Sequence, residues 1–531
     1  MVLLLFTACG GGGGDDDDGG TNPPEMVTVS GVVRFARVPF RASPLGLDYA
    51  NPVLQPARGV LLRVRNAATQ SIVTLGETTA SGAYSVQVPA NTSVYIQVVA
   101  QMLKATGTGT WDVRVQDVTG NAAIPYYHAI TAFNSGSGAT QNIDVPLGIS
   151  ASGTATGTRA SGPFAILDTL YLAIQTVLSA RPDANLPPLV IDWGAQSQGT
   201  FFSGGTSNQR IALLSDLTED TDEFDRHVIA HEFGHYIENN FSRSDSIGGD
   251  HGLGDLLDPR TAFGEGWGYA FAAIVLNDPI ALDSFVNNGQ PVAGGFNVET
   301  NPPTTLGGPG CWCSEPSVWS LLWDLYDGAA DANDSIALGF QPLWDVLTTG
   351  QKTTPAFTTI FSFIEALKAT RPLDAAAINT LVAAQNIDAA TIDAFATTET
   401  HSPLPNLLPV YASITKGVPV VVRNTGSALQ HYNKVGNHRF LRYVAPASET
   451  ITITVTTSNP NAAEADPDFL IFREGALVGS ATSPPNSQRN EVASGSVTAG
   501  VEYILDVYDC ANGCRDVEGT PGDYDLTVSI Q

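Results

Sequence analysis

The sequence predicts a multidomain protein in which an α+β core is flanked by two antiparallel β-sandwich domains. At 531 residues, the chain exceeds what one hydrophobic core usually supports. Short alternating, β-branched runs separated by Gly, Pro, Asn and Ser dominate both ends, whereas apolar residues recur at helical spacing in the middle. We therefore expect a leader at 1–25, a sandwich at 26–150, the core at 151–404 and a second sandwich at 405–531.

The leader reads "MVLLLFTACGGGGGDDDDGGTNPP", a short apolar run that ends in small residues before Cys9. It resembles a bacterial lipoprotein signal, with Phe6–Cys9 as the lipobox and Gly10–Pro24 as a flexible tether. No Lys or Arg precedes the apolar run, so an unprocessed leader is the alternative. The resemblance implies a protein of the bacterial cell envelope, lipid-anchored at the outer membrane or cell surface through Cys9, or secreted.

The first sandwich is expected from runs such as "TVSGVVRF", "GVLLRVRN" and "SVYIQVVA". The segment "GETTASGAYSVQVPANTSVYIQVVA" resembles the carboxypeptidase regulatory-like sandwich, which implies an accessory module. The last hundred residues, which include "GDYDLTVSI", resemble the bacterial pre-peptidase C-terminal domain, a small sandwich appended to secreted peptidases.

The core is expected to begin with a helix over 163–180, in which apolar residues recur at helical spacing before a proline. Strands in "LPPLVIDW" and "RIALLSDL" follow, and "NQRIALLSDL" is placed where an edge strand would pair with extended substrate. A second helix is predicted over 261–276, and further helices reach about Thr400.

The chain has a net charge of −28, which would repel phosphate backbones and anionic membrane surfaces. Nucleic acid is therefore not expected as a partner. Besides Cys9, the cysteines form two close pairs, Cys311/Cys313 and Cys510/Cys514. In an exported protein such pairs indicate disulfides, whose connectivity the sequence leaves open, rather than a zinc site.

The chemistry is expected in "DEFDRHVIAHEFGHYIENN", which contains the pattern His231-Glu232-x-x-His235. On a helix, His231 and His235 lie one turn apart, so both imidazoles can bind one Zn²⁺. Glu232 beside them can take a proton from a zinc-activated water and pass it to a leaving amine. This pattern is typical of zinc peptidases, and a helix with two ordinary histidines is the alternative.

The third ligand decides the class of zinc peptidase. A metzincin would need Gly and His at the positions of Glu238 and Phe241, so this class is excluded. Gluzincins use a glutamate on a second helix, and "AFGEGWGYAFAAIVL" offers Glu265. His251, in the glycine-rich loop between the two helices, is the competing candidate, but a rigid helix orients a ligand better than such a loop.

The segments "DEFDRHVIAHEFGHYI", "GEGWGYAFA" and "VWSLLWDLYD" together resemble the fungalysin-type gluzincins. This resemblance implies a zincin-like core, with His231, His235 and Glu265 as zinc ligands and Glu232 as the catalytic base. It also implies that Gly264, Gly266 and Trp267 shape the second helix.

One position departs from that family, where an aspartate four residues after the ligand glutamate commonly orients a ligand histidine. Here the residue is Tyr269, one turn beyond Glu265. Its hydroxyl could orient a histidine or donate to the oxyanion of the reaction, so Tyr269 is a candidate catalytic residue. Packing of the aromatic ring in the core is the alternative.

Several other polar residues carry weaker expectations. His227 shares the helix face of His231 and is more typical of a half-buried or capping residue. Asp250, Asp255 and Asp258 could bind calcium, although loop aspartates usually serve turns and helix caps. Three histidines near or beyond the end of the core have no evident partner: His401, His431 and His438.

The sequence therefore predicts an extracellular zinc metallopeptidase of gluzincin type that hydrolyses peptide bonds of protein or peptide substrates, most consistent with an endopeptidase. Two alternatives stay open. A catalytically decayed core could serve as a surface binding or adhesion scaffold, an option that Tyr269 favours and Glu232 disfavours. A zinc hydrolase acting on a non-peptide bond is the other, because sandwich domains can bind carbohydrate.

Overall fold

The computed structural model describes residues 23–119, 125–194, 196–197, 199–205, 208–300, 310–328, 334–426, 432–461, 464–482, 489–516 and 520–531. The predicted lipobox with Cys9 lies outside these residues. The chain divides into two compact units, 1–232 with 282–294 and 233–281 with 295–531, which are described separately. The boundary falls inside one continuous helix, Arg226–Phe241, which is treated as a single element.

The first unit consists mainly of strands. Before residue 150 these are β1 (Met26–Arg37), β2 (Phe40–Ala42), β3 (Leu45–Leu47), β4 (Val53–Pro56), β5 (Val60–Asn66), β6 (Ile72–Glu77), β7 (Ala83–Pro89), β8 (Ser93–Lys104), β9 (Trp111–Asp117), β10 (Tyr127–Ala129), β11 (Phe133–Asn134), β12 (Ala139–Thr140) and β13 (Ile143–Val145). Helix α1 (Gly162–Ala180) is followed by β14 (Leu189–Trp193), β15 (Phe201–Ser203), β16 (Gln209–Leu213), β17 (Ser215–Asp216) and β18 (Asp220–Thr221). A 3-10 turn, Asp222–Phe224, leads into helix α2 (Arg226–Phe241).

The strands of this unit form two main sheets. In one, β1 pairs antiparallel with β4 and β7 and parallel with β12 and β13. The other follows the order β15-β16-β14-β9-β8-β5-β6, with β10 and β11 also paired to β8. Because β14 pairs parallel with both β9 and β16, this sheet contains strands from both sides of residue 150. The prediction of wholly antiparallel pairing in the first sandwich is wrong for β1 and β9, since alternation within a strand does not specify its partners.

The position of β16 corrects one expectation. The segment "NQRIALLSDL" was expected to supply an exposed edge strand, but β16 lies between β14 and β15. The short strand β15 pairs antiparallel with β16 and takes the edge position. Backbone groups of β16 are therefore already used within the sheet.

Helix α1 agrees with the predicted segment over 163–180. Pro163 occupies its first turn, where a missing N–H costs nothing, and the helix ends before Pro182. By length and composition it is one described helix that could cross a membrane, but 61% of its most apolar window is buried inside the protein. Such burial is typical of a helix in the core of a domain.

A β-hairpin lies within the stretch for which only helices were predicted. Strands β19 (Ile280–Asn287) and β20 (Gln290–Asn297) flank Asn288 and Gly289, whose φ angles are +49° and +72°. An Asn-Gly pair favours this left-handed turn, because asparagine tolerates and glycine readily adopts positive φ. The Asn-Gly signal was present in the sequence, but the predicted set of helices from 261 to about 400 did not include this hairpin.

The second unit contains the remaining helices and the C-terminal strands. The helices are α3 (Pro259–Leu276), α4 (Glu315–Tyr326), α5 (Phe340–Val346), α6 (Ile360–Thr370), α7 (Ala375–Ala384) and the short α8 (Cys510–Gly513), and a π-helical turn, Leu347–Gln351, follows α5. The strands are β21 (Tyr411–Ser413), β22 (Val420–Asn424), β23 (Arg439–Val444), β24 (Glu449–Thr457), β25 (Pro467–Arg473), β26 (Ala476–Ala481), β27 (Asn490–Val497), β28 (Glu502–Asp509) and β29 (Tyr524–Ile530).

The C-terminal strands form two facing sheets. One follows the order β21-β23-β28-β25-β26 and the other β22-β29-β24-β27. All described pairings in these sheets are antiparallel except β21 with β23. Alternate residues of the strands form a shared core, for example Val455, Leu505 and Leu526. The sandwich-like arrangement predicted for this end of the chain is confirmed.

Both predicted cysteine pairs are disulfides. Cys311 is bonded to Cys313, directly before α4, and Cys510 is bonded to Cys514, around α8. The connectivity that the sequence left open is therefore local in both cases.

Candidate metal centre

Helix α2 carries the His-Glu-x-x-His pattern. His231 is 5% exposed, Glu232 is 7% exposed, and His235 follows His231 by one turn on the same helix. Side chains four residues apart on a helix project from the same face. The helix therefore holds both imidazoles where one metal ion can bind them.

Helix α3 supplies the third predicted ligand. Its start is fixed by Asp258, whose side chain accepts a hydrogen bond from the backbone N–H of Arg260, and by Pro259 in the first turn. Glu265 lies on this helix, 7% exposed, and its Oε2 is 3.3 Å from Nε2 of His235. One ligand atom each from His231, His235 and Glu265 can be chosen so that all three lie within 4.8 Å of one another.

This arrangement fits a zinc ion. Zinc binds imidazole nitrogen and carboxylate oxygen at about 2.0–2.2 Å, so two ligand atoms of a tetrahedral site lie about 3.4 Å apart. The distance between His235 and Glu265 agrees with that separation. Two imidazoles and one carboxylate also form a donor set that zinc hydrolases use, with a further position open to water.

His251 lies beside this group without belonging to it. Its Nε2 is 3.2 Å from Oε2 of Glu265, and its Nδ1 is 3.1 Å from Oε2 of Glu315. Burial lowers the pKa of the His251 imidazole, but hydrogen bonds and charges from the two glutamates outweigh it and raise the pKa to about 11. Both ring nitrogens of His251 thus contact glutamate carboxylates. The ligand atom that converges with those of His231 and His235 comes from Glu265 and not from His251.

Sequence reasoning missed Glu315. It lies in the first turn of α4, directly after the Cys311–Cys313 disulfide, and is 2% exposed. A carboxylate is favoured at a helix N-terminus, which by itself explains a glutamate at this position. The sequence therefore offered no reason to look for its contact with His251. Nothing local in the sequence pairs Glu315 with His251, 64 residues earlier.

The ring of Tyr269 packs among aromatic side chains. It meets Phe296 and Trp319 edge-on, with centroid distances of 4.9 and 5.3 Å. The packing alternative is therefore present in the structure. Tyr269 is still partly exposed, so its proposed catalytic role stays a prediction.

Glu238 is a further buried carboxyl on α2, less than one turn after His235. Burial raises its pKa to about 7, and the nearby His235 partly opposes that shift. A hydrogen bond with Ser244 acts in the same direction as His235. Burial thus makes ionisation of Glu238 costly near the carboxyl end of α2.

The other candidate residues mostly have structural partners. Asp258 caps α3, and Asp255 accepts hydrogen bonds from Lys434 and from the backbone of Gly252, as expected for loop aspartates. The expectation that His401 and His438 lack partners is wrong. His401 lies 3.2 Å from Glu399, and His438 lies 2.8 Å from Asp506. His227 is buried, at 6% exposure. The backbone carbonyl of Asp250 accepts a hydrogen bond from Lys434. His431 lies outside the described residues.

The glycines of "GEGW" allow α3 to approach its neighbours. A Cβ atom on Gly266 would lie 2.4 Å from Cβ of Val318 and 3.0 Å from the carbonyl oxygen of Glu315, both on α4. A Cβ on Gly264 would meet Ser246 and Glu238 only at 3.5 and 3.6 Å, which is ordinary van der Waals contact. Only one of the two positions therefore requires glycine for close packing.

We expect Gly266→Ala to destabilise the protein by about 1–3 kcal/mol, because the added methyl group must push α4 away. Gly264→Ala, two residues earlier on the same helix, should be neutral or stabilising by up to about 1 kcal/mol, since alanine favours helix. Urea unfolding of both variants beside the wild type checks this pair. Equal effects of the two substitutions would show that the contact between α3 and α4 is looser than described.

Comparisons with known proteins do not assign this chain to a family. No protein-family model matches the sequence, and no curated protein is significantly similar to it. Solved structures that match part of the chain include the pre-peptidase C-terminal domain of a collagenase from Bacillus anthracis, with 12% identity over 23% of this chain and 94% of that one, at a TM-score of 0.17. PliG from Aeromonas hydrophila, a periplasmic inhibitor of g-type lysozyme, matches with 20% identity over 23% and 96%, at a TM-score of 0.15. A family 35 carbohydrate-binding module from Clostridium thermocellum matches with 17% identity over 21% and 98%, at a TM-score of 0.14. At these TM-scores the likenesses carry no argument about fold or function.

Proposed function

We propose that this protein is a zinc metallopeptidase of gluzincin type that hydrolyses peptide bonds outside the cytoplasm. The observation that carries the proposal is the convergence of His231, His235 and Glu265, with ligand atoms within 4.8 Å of one another, next to a buried Glu232. Two imidazoles and a carboxylate around one point form a donor set for zinc, and the glutamate within the motif supplies a base.

Three of these residues would hold the metal, and Glu232 would transfer a proton. Bound Zn²⁺ would polarise the scissile carbonyl and lower the pKa of a water at the open position. Glu232 accepts the proton of the attacking water and delivers it to the amine as the peptide bond breaks. Burial of Glu232 limits competing solvent around this transfer.

A chain of close contacts between charged groups leads to the proposed third ligand. Glu315 lies against Nδ1 of His251, and Nε2 of His251 lies against Glu265. We assign His251 and Glu315 as positioning residues that fix the orientation of the Glu265 carboxylate. Tyr269 stays the candidate donor for the charge that develops on the carbonyl oxygen, or for orienting a ligand histidine.

The proposed domain roles follow the sequence resemblances. Residues 151–404 would form the zincin-like, fungalysin-type core, and residues 405–531 a pre-peptidase C-terminal-like sandwich. Residues 26–150 would form an accessory sandwich. The substrate would be a protein or peptide at the bacterial cell envelope or in the medium, and the membrane would be reached only through a lipid on Cys9.

The experiment that tests the proposal is hydrolysis of unfolded casein by the purified protein before and after metal removal. We expect a chelator to abolish cleavage and one equivalent of Zn²⁺ per chain to restore it. Cleavage that survives complete removal of metal would contradict the proposal. Zinc bound at one equivalent without any cleavage would instead support a binding scaffold or a different scissile bond.

Glu265→Ala is expected to weaken zinc binding by more than the 10–100-fold that is typical of losing a residue that only supports a ligand. His251→Ala should stay within about that 10–100-fold range, because His251 contacts Glu265 rather than the metal. Competition with a chromophoric chelator measures both affinities. His401→Ala, at a half-exposed imidazole, is the matched control and should bind zinc as the wild type does. A greater loss in His251→Ala than in Glu265→Ala would make His251 the ligand.

A further inference from the structure

Four aspartates of the first unit converge just before helix α2. Asp220 lies in β18, Asp222 begins the 3-10 turn, Asp225 is the residue directly before α2, and Asp283 lies in β19. One carboxylate oxygen from each can be chosen so that all four lie within 4.8 Å of one another. None of these residues belongs to the zinc group.

The carboxylates of this cluster repel one another. The strongest charge effects on Asp220, Asp222 and Asp225 come from neighbouring carboxylates. Burial, followed by the charge of Asp283, raises the pKa of Asp220 to about 7. Burial likewise raises the pKa values of Asp222 and Asp225, and the neighbouring aspartates add to both shifts. Holding four ionised carboxylates this close together is costly.

Asp225 gives the second, independent observation. It is fully buried, and its Oδ2 accepts hydrogen bonds of 2.7 Å from both the backbone N–H and the hydroxyl of Ser284. Its Oδ1 is also buried but has no hydrogen-bond donor among the described residues. The carboxyl of Asp283 lies within hydrogen-bond reach of Asp225. Two carboxyls that meet without a donor need either a shared proton or a cation between them.

We propose that Asp220, Asp222, Asp225 and Asp283 form a Ca²⁺ site. Calcium takes oxygen ligands at about 2.3–2.6 Å, so any two oxygens on one ion lie at most about 5 Å apart, which the cluster satisfies. The set contains no nitrogen or sulfur donor, which disfavours zinc and copper. Its flexible, acidic composition suits calcium better than the strict octahedron of magnesium.

A bound ion would hold the segment before helix α2 against strand β19. Asp225 directly precedes α2, while Asp283 belongs to the first strand of the β19–β20 hairpin, and the two segments are 58 residues apart in the chain. An ion bound only by the folded arrangement stabilises the native state in proportion to its affinity and concentration. We therefore expect calcium to raise the melting temperature, independently of any peptidase activity.

The test uses the full chain without substrate, so that its outcome does not depend on the proposed function. Tb³⁺ serves as a luminescent probe of the site, because Tyr49 is hydrogen-bonded to Thr221 at 2.8 Å, next to Asp220 and Asp222, and can transfer excitation energy. We expect Tb³⁺ emission on excitation of tyrosine, displacement of Tb³⁺ by Ca²⁺, and a higher melting temperature in Ca²⁺.

Asp283→Asn is the decisive variant, since Asp283 is exposed and amide for carboxylate preserves its shape. In chelator the variant should be at least as stable as the wild type, because one repelling charge is gone. Its affinity for Ca²⁺ should fall by at least about tenfold, as expected when one ligand charge is lost. Asp216→Asn is the matched control, because Asp216 pairs with Asp220 in the same hairpin but lies outside the cluster.

Two results would overturn the calcium site. One is a wild-type protein whose melting temperature and Tb³⁺ emission do not respond to Ca²⁺, which would leave a shared proton between Asp225 and Asp283. The other is Ca²⁺ affinity in Asp283→Asn equal to that of the wild type and of Asp216→Asn. Asp220→Asn, also at a partly exposed position, provides a second variant should Asp283→Asn fail to fold.

Discussion

Replacing Glu232 with glutamine is expected to lower kcat/KM for casein by about 10²–10⁴-fold, the usual contribution of a general acid–base group. Glutamine keeps the size and hydrogen-bonding capacity of the side chain, but it cannot accept the proton of the attacking water. Because His231, His235 and Glu265 are unchanged, the variant should still bind one equivalent of zinc. Initial rates of casein cleavage and zinc content, measured on the same sample, check both expectations.

Glu219→Gln is a suitable control for this variant, since Glu219 is exposed and lies in the segment before α2. It makes the same chemical change outside the metal group and should leave both rate and zinc content unaltered. Wild-type activity in Glu232→Gln with zinc still bound would remove Glu232 from the mechanism. Loss of zinc together with activity would instead show that Glu232 contributes to metal binding.

Arg260→Met is expected to cost about 3–5 kcal/mol in the free energy of unfolding, the range for breaking a buried ion pair. Arg260 is 2% exposed near the start of α3, and its guanidinium lies 2.8 Å from both Asp258 and Asp506. The guanidinium also lies over the rings of Phe357 and Phe440, 4.7 Å from each centroid. Methionine fills the space but removes the guanidinium from two buried carboxylates, of which Asp506 keeps an imidazole partner, His438.

The penalty should depend on pH. In the wild type, burial raises the pKa of Asp506, but Arg260 and His438 outweigh burial and lower it below its usual value. A lowered native pKa contributes stability above the unfolded-state value of about 4, and this contribution is lost as the pH falls through the native pKa. Without Arg260, burial is opposed less and the pKa of Asp506 rises. Asp506 in the variant therefore takes up a proton as the pH falls, and the cost of a buried charge disappears. The difference between Arg260→Met and the wild type should therefore shrink toward pH 4.

Arg423→Met is the matched control for Arg260→Met. Arg423 forms ion pairs with Asp525 and Asp523, but its side chain is 33% exposed. Exposed ion pairs contribute about 0–1 kcal/mol, so this variant should unfold at nearly the wild-type urea concentration. Equal losses in the two variants would contradict the idea that burial of Arg260 makes the difference.

Local sequence signals predicted the elements that depend on local interactions. Helix α1 followed from its apolar periodicity, and helix α3 was predicted from about Thr261, two residues after its observed start at Pro259. The parallel pairing of β14 with β9 was not predicted, because those strands are separated by about 70 residues and the pattern of a strand does not name its neighbour. The β19–β20 hairpin was missed although Asn288-Gly289 marks its turn.

In the candidate site, too, local signals were predictive and long-range contacts were not. His231 and His235 follow from helical geometry, and Glu265 from its place on the next predicted helix. The contacts of His251 with Glu265 and Glu315 depend on how a loop and two helices pack, so the sequence offered His251 only as a competing ligand. The calcium cluster was missed for a similar reason, because Asp283 approaches Asp225 only through the unpredicted hairpin.

The measurement that tests the central claim most directly is mass spectrometry of casein digested in H₂¹⁸O by zinc-restored protein. We predict one ¹⁸O in every carboxyl group that cleavage newly forms, and no labelled products from the metal-free protein. Intact casein without ¹⁸O, from protein that holds one equivalent of zinc, would contradict the claim that this metal centre hydrolyses peptide bonds.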